Sequence, residues 1–263
     1  MESAAKFVSD TLAMWWRDTR LAAAFLTRLP LAPEGAGSGK ALADAARAFP
    51  IVGAAVGLAA GAALSVASWL GLHPLACALV GLAVAALVTG ALHEDGLADV
   101  ADGFGGGRTR AAKLKIMRDS RIGAYGVLAL VFSVGLRAAA LAGLPGPGSA
   151  VLALMAAGAA SRAVLPMVMH RLEPARRDGL AVGAGRPTRE DALTSALLGA
   201  ALVLLFLGPA AGAATVIAAA AAAALVAAQA RRQVGGSTGD VLGAVQQVAE
   251  TAALLAAAAL VAP

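Results

Sequence analysis

The sequence predicts an all-α, polytopic integral membrane protein that forms one membrane-embedded catalytic domain over residues 1–263. Hydrophobic residues make up 59% of the chain, charged residues make up only 14%, and the mean hydropathy is +0.77. In an average soluble domain about a quarter of the residues are charged. Several apolar runs also reach the length of about 20 residues that a helix needs to cross a hydrocarbon core of ~30 Å. The lipid bilayer is therefore an expected partner.

The apolar runs predict about seven transmembrane helices, within a range of about six to eight. Residues 1–48, which precede the first of these helices, are expected to lie in the cytoplasm or at the membrane interface. The apolar part of this segment, at 15–29, is expected to lie in the interface or to dip into the membrane. The spans are predicted in the windows 49–71, 74–92, 123–144, 148–170, 191–208, 210–230 and 241–262.

Positive charge is sorted between the two sides of this predicted bundle. All but two of the 21 Lys and Arg residues lie before the first span or in the connections 93–122, 171–190 and 231–232, whereas the other connections are short and uncharged. By the positive-inside rule, the N-terminus and the 93–122 loop are cytoplasmic and the C-terminus is outside. This sorting explains the pI of about 10.1. Because no aromatic or groove-reading pattern accompanies the basic residues, no nucleic-acid partner is expected.

Three charged residues lie in the interior of predicted spans, away from the first and last residues, namely Arg137, Arg162 and Glu250. Intramembrane charges usually face a polar cavity or one another. Two interpretations stay open: Glu250 pairs with one of the arginines, or these groups bind a ligand. Arg162 is the better candidate for substrate binding, because it lies nearer the cytoplasmic end of its helix.

An acidic cluster occupies the segment LHEDGLADVADG at 92–103. In a helix Asp95, Asp99 and Asp102 stand at i, i+4 and i+7, within an arc of about 60° on one face. Three carboxylates on one stripe repel, and a divalent cation would compensate them. Mg²⁺ typically takes one or two carboxylates together with waters and substrate phosphates, which favours phosphoryl transfer. The alternative is a solvated acidic face. The adjacent His93 is a candidate substrate-binding residue that could act as a base, and the alternative is a polar residue at the helix end.

A glycine run follows the acids at Gly103, Gly105, Gly106 and Gly107. Such a run is expected to end the acidic helix, because glycine is a poor helix former and readily adopts positive φ. Glycine backbone also lets a phosphate approach closely, so Gly105 and Gly106 are candidate substrate-binding residues. A plain helix stop is the alternative.

Further candidates lie beyond the glycines. Arg118 and Arg121 flank Asp119, which places phosphate-binding guanidinium groups beside another potential metal ligand. The loop GGSTGD at 235–240 ends in Asp240, which either caps the last span or completes the site.

Six segments together resemble the adenosylcobinamide-GDP ribazoletransferases, also called cobalamin-5′-phosphate synthases. They run in the family's order along nearly the whole chain, and the central acidic block is highly specific. The segments are FLTRLP (25–30), FPIVGAAVG (49–57), TGALHEDGLADVADG (89–103), IMRDSRIGAYG (116–126), SR (161–162) and GGSTGDVLGA (235–244). The chain departs from the family at Glu94, where an apolar residue is common, and at Ser237, where glutamine is common.

The resemblance implies a Mg²⁺-dependent phosphotransferase of the bacterial inner membrane that performs the final assembly step of cobalamin (vitamin B12) biosynthesis. The implied substrates are adenosylcobinamide-GDP and α-ribazole or its 5′-phosphate, and GMP is released. The residues carried over are the metal-binding acids Asp95, Asp99 and Asp102, with Glu94 and Asp119 as additions, the phosphate-binding Arg118 and Arg121, and Arg162 and Asp240 in the other segments.

Two other functions compete with this interpretation. A CDP-alcohol phosphotransferase is suggested by Asp99-x-x-Asp102-Gly, but Gly106 and Gly107 stand where that motif has Ala-Arg. A cation transporter would use the acids as a midplane site, whereas they lie at the cytoplasmic end of the second predicted span. Assembly into a homo-oligomer stays open.

Overall fold

The computed structural model describes residues 2–31 and 39–261, which form twelve α-helices and no β-strand within these ranges. The predicted all-α class is confirmed. The helices are α1 Glu2–Leu26, α2 Gly39–Ala45, α3 Phe49–Trp69, α4 Pro74–Thr89, α5 Leu92–Gly106, α6 Arg110–Ile116, α7 Ala124–Ala142, α8 Pro147–Ala163, α9 Leu165–Arg171, α10 Leu180–Gly183, α11 Arg189–Val234 and α12 Gly239–Val261.

In the described ranges, five helices are long and apolar enough to cross a membrane, or six if the bent pair α4 and α5 counts as one span. The 46-residue α11 is broken at Gly208, where φ is 73° and ψ is 178°. A Cβ on Gly212 would lie 3.0 Å from Cα of Leu204. In a straight helix these positions would be about 12 Å apart. Helix α11 is thus a hairpin with a first arm at 189–207 and a second arm at 209–234, and counting both arms gives the predicted seven.

The closest helix packing joins α3 to α8. A Cβ on Gly53 would overlap the carbonyl oxygen of Gly158, and one on Gly61 would lie 2.9 Å from a methyl of Val151. Gly57, one turn from each of the other α3 glycines, meets the backbone of Leu154. Small residues at successive turns let membrane helices approach until their backbones touch. This glycine face fixes the centre of the bundle.

A sharp bend separates α4 from α5. Helix α4 ends at Thr89, earlier than the predicted window 74–92, and the next two residues are left-handed, with φ of 68° at Gly90 and 56° at Ala91. The axis turns by 92° between the two helices. A left-handed alanine is uncommon and mildly strained. The bend takes the acidic segment out of line with the span that precedes it.

Helix α5 is held against the start of α12. A Cβ on Gly96 would lie 2.7 Å from the backbone oxygen of Asp240, and one on Gly243 would lie 3.2 Å from Cα of Gly96. Because neither glycine has a side chain, the two backbones cross almost in contact. This crossing places the first turn of α12 beside the acidic face of α5.

Candidate active site

Two carboxylates of α5 are free of protein partners. Asp95 is exposed and Asp99 is half-buried, and within residues 2–31 and 39–261 neither side chain makes a hydrogen bond or an ion pair. The negative charges of Asp95, Asp102 and Asp240 all act on Asp99, and Arg176 partly offsets them. Asp95 and Asp99 stand one helical turn apart, as the sequence pattern predicts. They form the accessible part of the acidic cluster.

Asp102 differs from these two because it is buried and already satisfied. Its carboxylate accepts hydrogen bonds from the backbone N–H groups of Gly123, at 2.6 Å, and Gly126, at 2.9 Å. These residues are the N-cap and the third residue of α7, whose first N–H groups have no partner within the helix. The contact is a side-chain cap from a neighbouring helix. The predicted metal-binding role of Asp102 stays a prediction.

Asp240 meets an arginine that the sequence did not single out. Nη1 of Arg176 lies 3.5 Å from Oδ2 of Asp240, and Nη2 donates to the carbonyl oxygen of Leu114 at 2.9 Å. The hydroxyl of Thr238 donates to the same carboxylate at 3.1 Å. Nε of Arg176 is buried and has no hydrogen-bond partner among the described residues. In the sequence, Arg176 was noted only as one of the basic residues in the connection 171–190.

A basic cavity adjoins this pair. It has a volume of about 300 Å³, and Lys115, Arg118 and Arg176 supply its charged lining. At its edge Arg118 pairs with Asp178, and both side chains are mostly exposed. Three cations around one cavity favour an anion with several oxygens, such as a phosphate. Because Arg176 both lines this cavity and contacts Asp240, it links the cavity to the acidic cluster.

Arg121 and Asp119 form an exposed pair with each other. Nε and Nη2 of Arg121 donate to the two carboxylate oxygens of Asp119 at 3.0 and 2.8 Å. These hydrogen bonds lower the pKa of Asp119 to about 2. Both oxygens are thereby engaged, so binding of Asp119 to a metal ion would require Arg121 to move. The predicted roles of both residues stay predictions.

The glycine run ends α5, as predicted, but it does so without left-handed backbone. Helix α5 continues through Gly106, and the described backbone has no positive φ between Gly103 and Gly107. A Cβ on Gly105 would lie 2.7 Å from the ring of Tyr125, and one on Gly103 would lie 2.5 Å from Cγ of Met117. The run therefore makes room for α6 and α7. Gly105 and Gly106 are exposed, which leaves their backbone accessible to a ligand. Their contact with phosphate stays a prediction.

His93 and Glu94 point into the protein. His93 is buried where α5 crosses α12, and its Nδ1 has no hydrogen-bond partner. Glu94 accepts a hydrogen bond from Gln247 at 3.0 Å and lies 3.8 Å from Nη2 of Arg137. Neither side chain shares the accessible face of Asp95. Their predicted roles in substrate or metal binding remain untested.

The intramembrane charges form a buried cluster. Arg162 and Arg137 contact opposite oxygens of the Glu250 carboxylate, at 2.8 and 3.1 Å. The pairing interpretation is thus confirmed, and it involves both arginines. Ser161 and Gln246 add hydrogen bonds to the same carboxylate. A substrate-binding role for Arg162 would have to act from this buried position.

The accessible acids suit a Mg²⁺ ion that binds together with its substrate. Within the described ranges, no three His, Cys, Asp or Glu side chains are arranged to hold a metal ion by themselves. Mg²⁺ commonly binds through one or two carboxylates and fills its other positions with waters and phosphate oxygens. Asp95 and Asp99 provide such a pair beside a basic cavity. These two carboxylates therefore fit a Mg²⁺ ion that is also coordinated by a phosphate ligand.

Comparison with known proteins identifies the family. The cobalamin-5-phosphate synthase family matches residues 18–258, which include the helices from the end of α1 to α12. The chain belongs to this family. The match contains the α5 acids, the basic cavity and the first turn of α12, so the whole candidate site lies within the part of the chain that the family matches.

Named relatives of this family cover almost the full chain. All three of the following proteins are called adenosylcobinamide-GDP ribazoletransferase, and no solved structure matches the chain. The protein of Bradyrhizobium diazoefficiens is 48% identical over 251 residues, 95% of this chain and 96% of its own. Those of Mesorhizobium japonicum and Azorhizobium caulinodans are 47% identical over 240 residues and 46% identical over 247 residues. They cover 91% and 90% of this chain, and 92% and 94% of their own. The chain is an enzyme of cobalamin assembly.

Proposed function

We propose that this enzyme joins adenosylcobinamide-GDP to α-ribazole or to α-ribazole 5′-phosphate. A ribose hydroxyl of the acceptor attacks the phosphorus that is bonded to the cobinamide. A new P–O bond forms, the bond to the bridging oxygen breaks, and GMP leaves with that oxygen. The hydroxyl proton passes to solvent or to the leaving phosphate. The reaction is a phosphoryl transfer in which no covalent enzyme intermediate is needed.

The observation that carries the proposal is the position of Arg176 between the acidic cluster and the basic cavity. It contacts Asp240 at the acidic cluster and also lines the basic cavity with Lys115 and Arg118. A diphosphate in this cavity would have its charge held by the cations, with its reacting phosphorus beside Asp95 and Asp99. Fixed guanidinium groups stabilise charge that develops on phosphate oxygens. Arg176 is therefore assigned to substrate binding in addition to the residues that the sequence indicates.

The proposed cofactor is Mg²⁺, which Asp95 and Asp99 would hold. Asp240 is the candidate for an additional ligand. When bound, Mg²⁺ neutralises phosphate charge and favours departure of the leaving group. The protein's own contribution is to keep these two carboxylates free of other partners and to keep the cations of the cavity within reach. The site is proposed to face the cytoplasm of a bacterial inner membrane, following the basic connections.

The test is GMP release by the purified chain in lipid vesicles, supplied with adenosylcobinamide-GDP and α-ribazole 5′-phosphate with and without Mg²⁺. We expect Mg²⁺-dependent release that Asp99→Asn lowers by at least about a hundredfold, as is usual for a key electrostatic group. Asp10→Asn, in exposed α1, is the matched control and retains activity. Absence of GMP release from folded protein would overturn the proposal, and CMP release from CDP-alcohols would identify the phospholipid reaction instead.

A further inference from the structure

A second cavity, of about 880 Å³, lies away from the acidic site. Its walls come from the α8–α9 junction and from both arms of α11, and α5, α6 and α12 contribute no lining residue. The volume falls in the range of about 300–1,000 Å³ that is typical of small-molecule sites. Ala220, Ala224 and Ala228, which line it, are exposed, so the cavity opens at the surface of the bundle.

The cavity is an apolar groove along most of its length. The second arm of α11 lines it with a face made only of alanine, at positions i, i+3, i+4, i+7 and i+8, which share one side of a helix. Val164, Met167 and Val168 form the opposite wall, also on one face of their helices. The alanines are Ala220, Ala223, Ala224, Ala227 and Ala228. Methyl groups on one wall leave room for a flexible hydrocarbon chain.

One end of the groove carries three arginines. Arg171 follows Val168 by three residues, and Arg231 and Arg232 follow the alanine face at the end of α11. All three side chains are exposed, and within the described residues their guanidinium groups make no hydrogen bond or ion pair. The groove therefore combines a long apolar floor with unpaired positive charge at one mouth. A ligand that matches both is an anion with an apolar tail.

We propose that this groove binds one anionic phospholipid, with an acyl chain along the alanine face and the phosphate at Arg171, Arg231 and Arg232. A free phosphate or nucleotide would match only the arginine end of the groove and would make no contact with its apolar walls. A zwitterionic lipid would place a cation near three cations. Clustered arginines at the cytoplasmic end of membrane helices commonly attract anionic lipid headgroups. The lipid site is separate from the acidic site and does not depend on the reaction proposed for it.

Native mass spectrometry of the full chain in mild detergent tests this proposal. With phosphatidylglycerol and phosphatidylcholine supplied in equal amounts, we expect retention of one phosphatidylglycerol per chain. Arg231→Gln combined with Arg232→Gln should lower that preference roughly tenfold or more, since each basic residue near the phosphate contributes several-fold. Lys6→Gln combined with Arg17→Gln, on α1, removes the same charge outside the groove and should leave the preference unchanged.

A second variant tests the groove itself. Ala224→Phe would fill the alanine face and leave the arginines in place, so we expect it to lower retention of the lipid. Excess inorganic phosphate or GMP should not displace phosphatidylglycerol. Equal retention of the two lipids, or loss of the preference in the α1 control, would overturn the proposal. Displacement by phosphate would identify a free-anion site, and a dimer that Ala224→Phe dissociates would identify a second copy as the occupant. Circular dichroism verifies that each variant is folded.

Discussion

The carboxylate of Asp102 accepts a hydrogen bond of 2.6 Å from the backbone N–H of Gly123. Its other oxygen accepts one of 2.9 Å from Gly126, so this single side chain ties the start of α7 to α5. Asp99, one turn earlier, has no such contact within the described residues and is surrounded by like charges. Two acids from one sequence motif are therefore expected to respond differently to substitution.

Replacing Asp102 should lower stability, whereas replacing Asp99 should not. Asp102→Ala would leave two N–H groups without an acceptor, and a buried unsatisfied donor costs about 1–3 kcal/mol. Asp99→Asn removes repulsion from neighbouring carboxylates and should leave the unfolding midpoint unchanged or slightly higher. Thermal unfolding in detergent measures both. If Asp102→Ala unfolded at the wild-type temperature but lost all activity, Asp102 would be a metal ligand rather than a helix cap.

The crossing of α5 and α12 should tolerate no side chain. Gly96→Ala would place a Cβ 2.7 Å from the backbone oxygen of Asp240, and the helices would have to separate. Overpacking of this kind costs about 1–3 kcal/mol, and the shift should also lower GMP release. Gly135→Ala is the control, because a Cβ there would have nothing within 4 Å. That change should raise stability by up to about 1 kcal/mol, since alanine favours a helix over glycine.

Glu250→Gln should destabilise the bundle. It removes the charge that compensates Arg137 and Arg162, and breaking a buried ion pair costs about 3–5 kcal/mol. Glu190→Gln, at an exposed position of α11, should have no measurable effect. Because the loss comes from unpaired cations, adding Arg137→Gln to the Glu250 variant should recover part of the stability. Additive losses in the double variant would show that the two side chains do not interact.

Arg121→Lys should affect activity but not stability. The side chain is 86% exposed, so its pairing with Asp119 contributes little to folding. If its guanidinium contacts a phosphate through two hydrogen bonds, lysine cannot reproduce them, and kcat/KM for GMP release should fall by about tenfold. Arg108→Lys, also exposed, is the control. Wild-type kinetics in the Arg121 variant would leave this residue no role beyond holding Asp119.

The sequence predicted those features that depend on local periodicity. Apolar length located the spans, and helical spacing placed Asp95 and Asp99 on one face. The break at Gly208 was predicted as an uncharged connection between two windows, and the structure places the turn between the two arms of α11 there. The turn at Gly90 and Ala91 was missed, because the run of apolar residues hides a change of direction.

The features that were missed depend on contacts between distant segments. The contact of Asp102 with the start of α7 was missed, because its partners are backbone N–H groups that no side-chain pattern reveals. Arg176 meets Asp240 across the whole length of α11, and nothing in the basic connection distinguished it from Arg177. The crossing of α5 and α12 depends on Gly96 and Gly243, which lie far apart in the sequence. Neither glycine indicates by itself which helix it will contact, so the crossing could not be predicted from local sequence.

The buried cluster of Arg137, Arg162 and Glu250 has a consequence for biosynthesis. A ribosome makes α7 and α8 before α12. Glu94, which lies 3.8 Å from Arg137, precedes both arginines, but Glu250, the carboxylate that contacts both of them, is still untranslated when they enter the membrane. An unpaired arginine at the centre of a bilayer helix costs about 2.5–3.5 kcal/mol. The nascent protein is therefore expected to remain loosely assembled until α12 arrives. The same helix brings Asp240 to the acidic face, so translation of α12 completes the assembly of the bundle and of the candidate active site together.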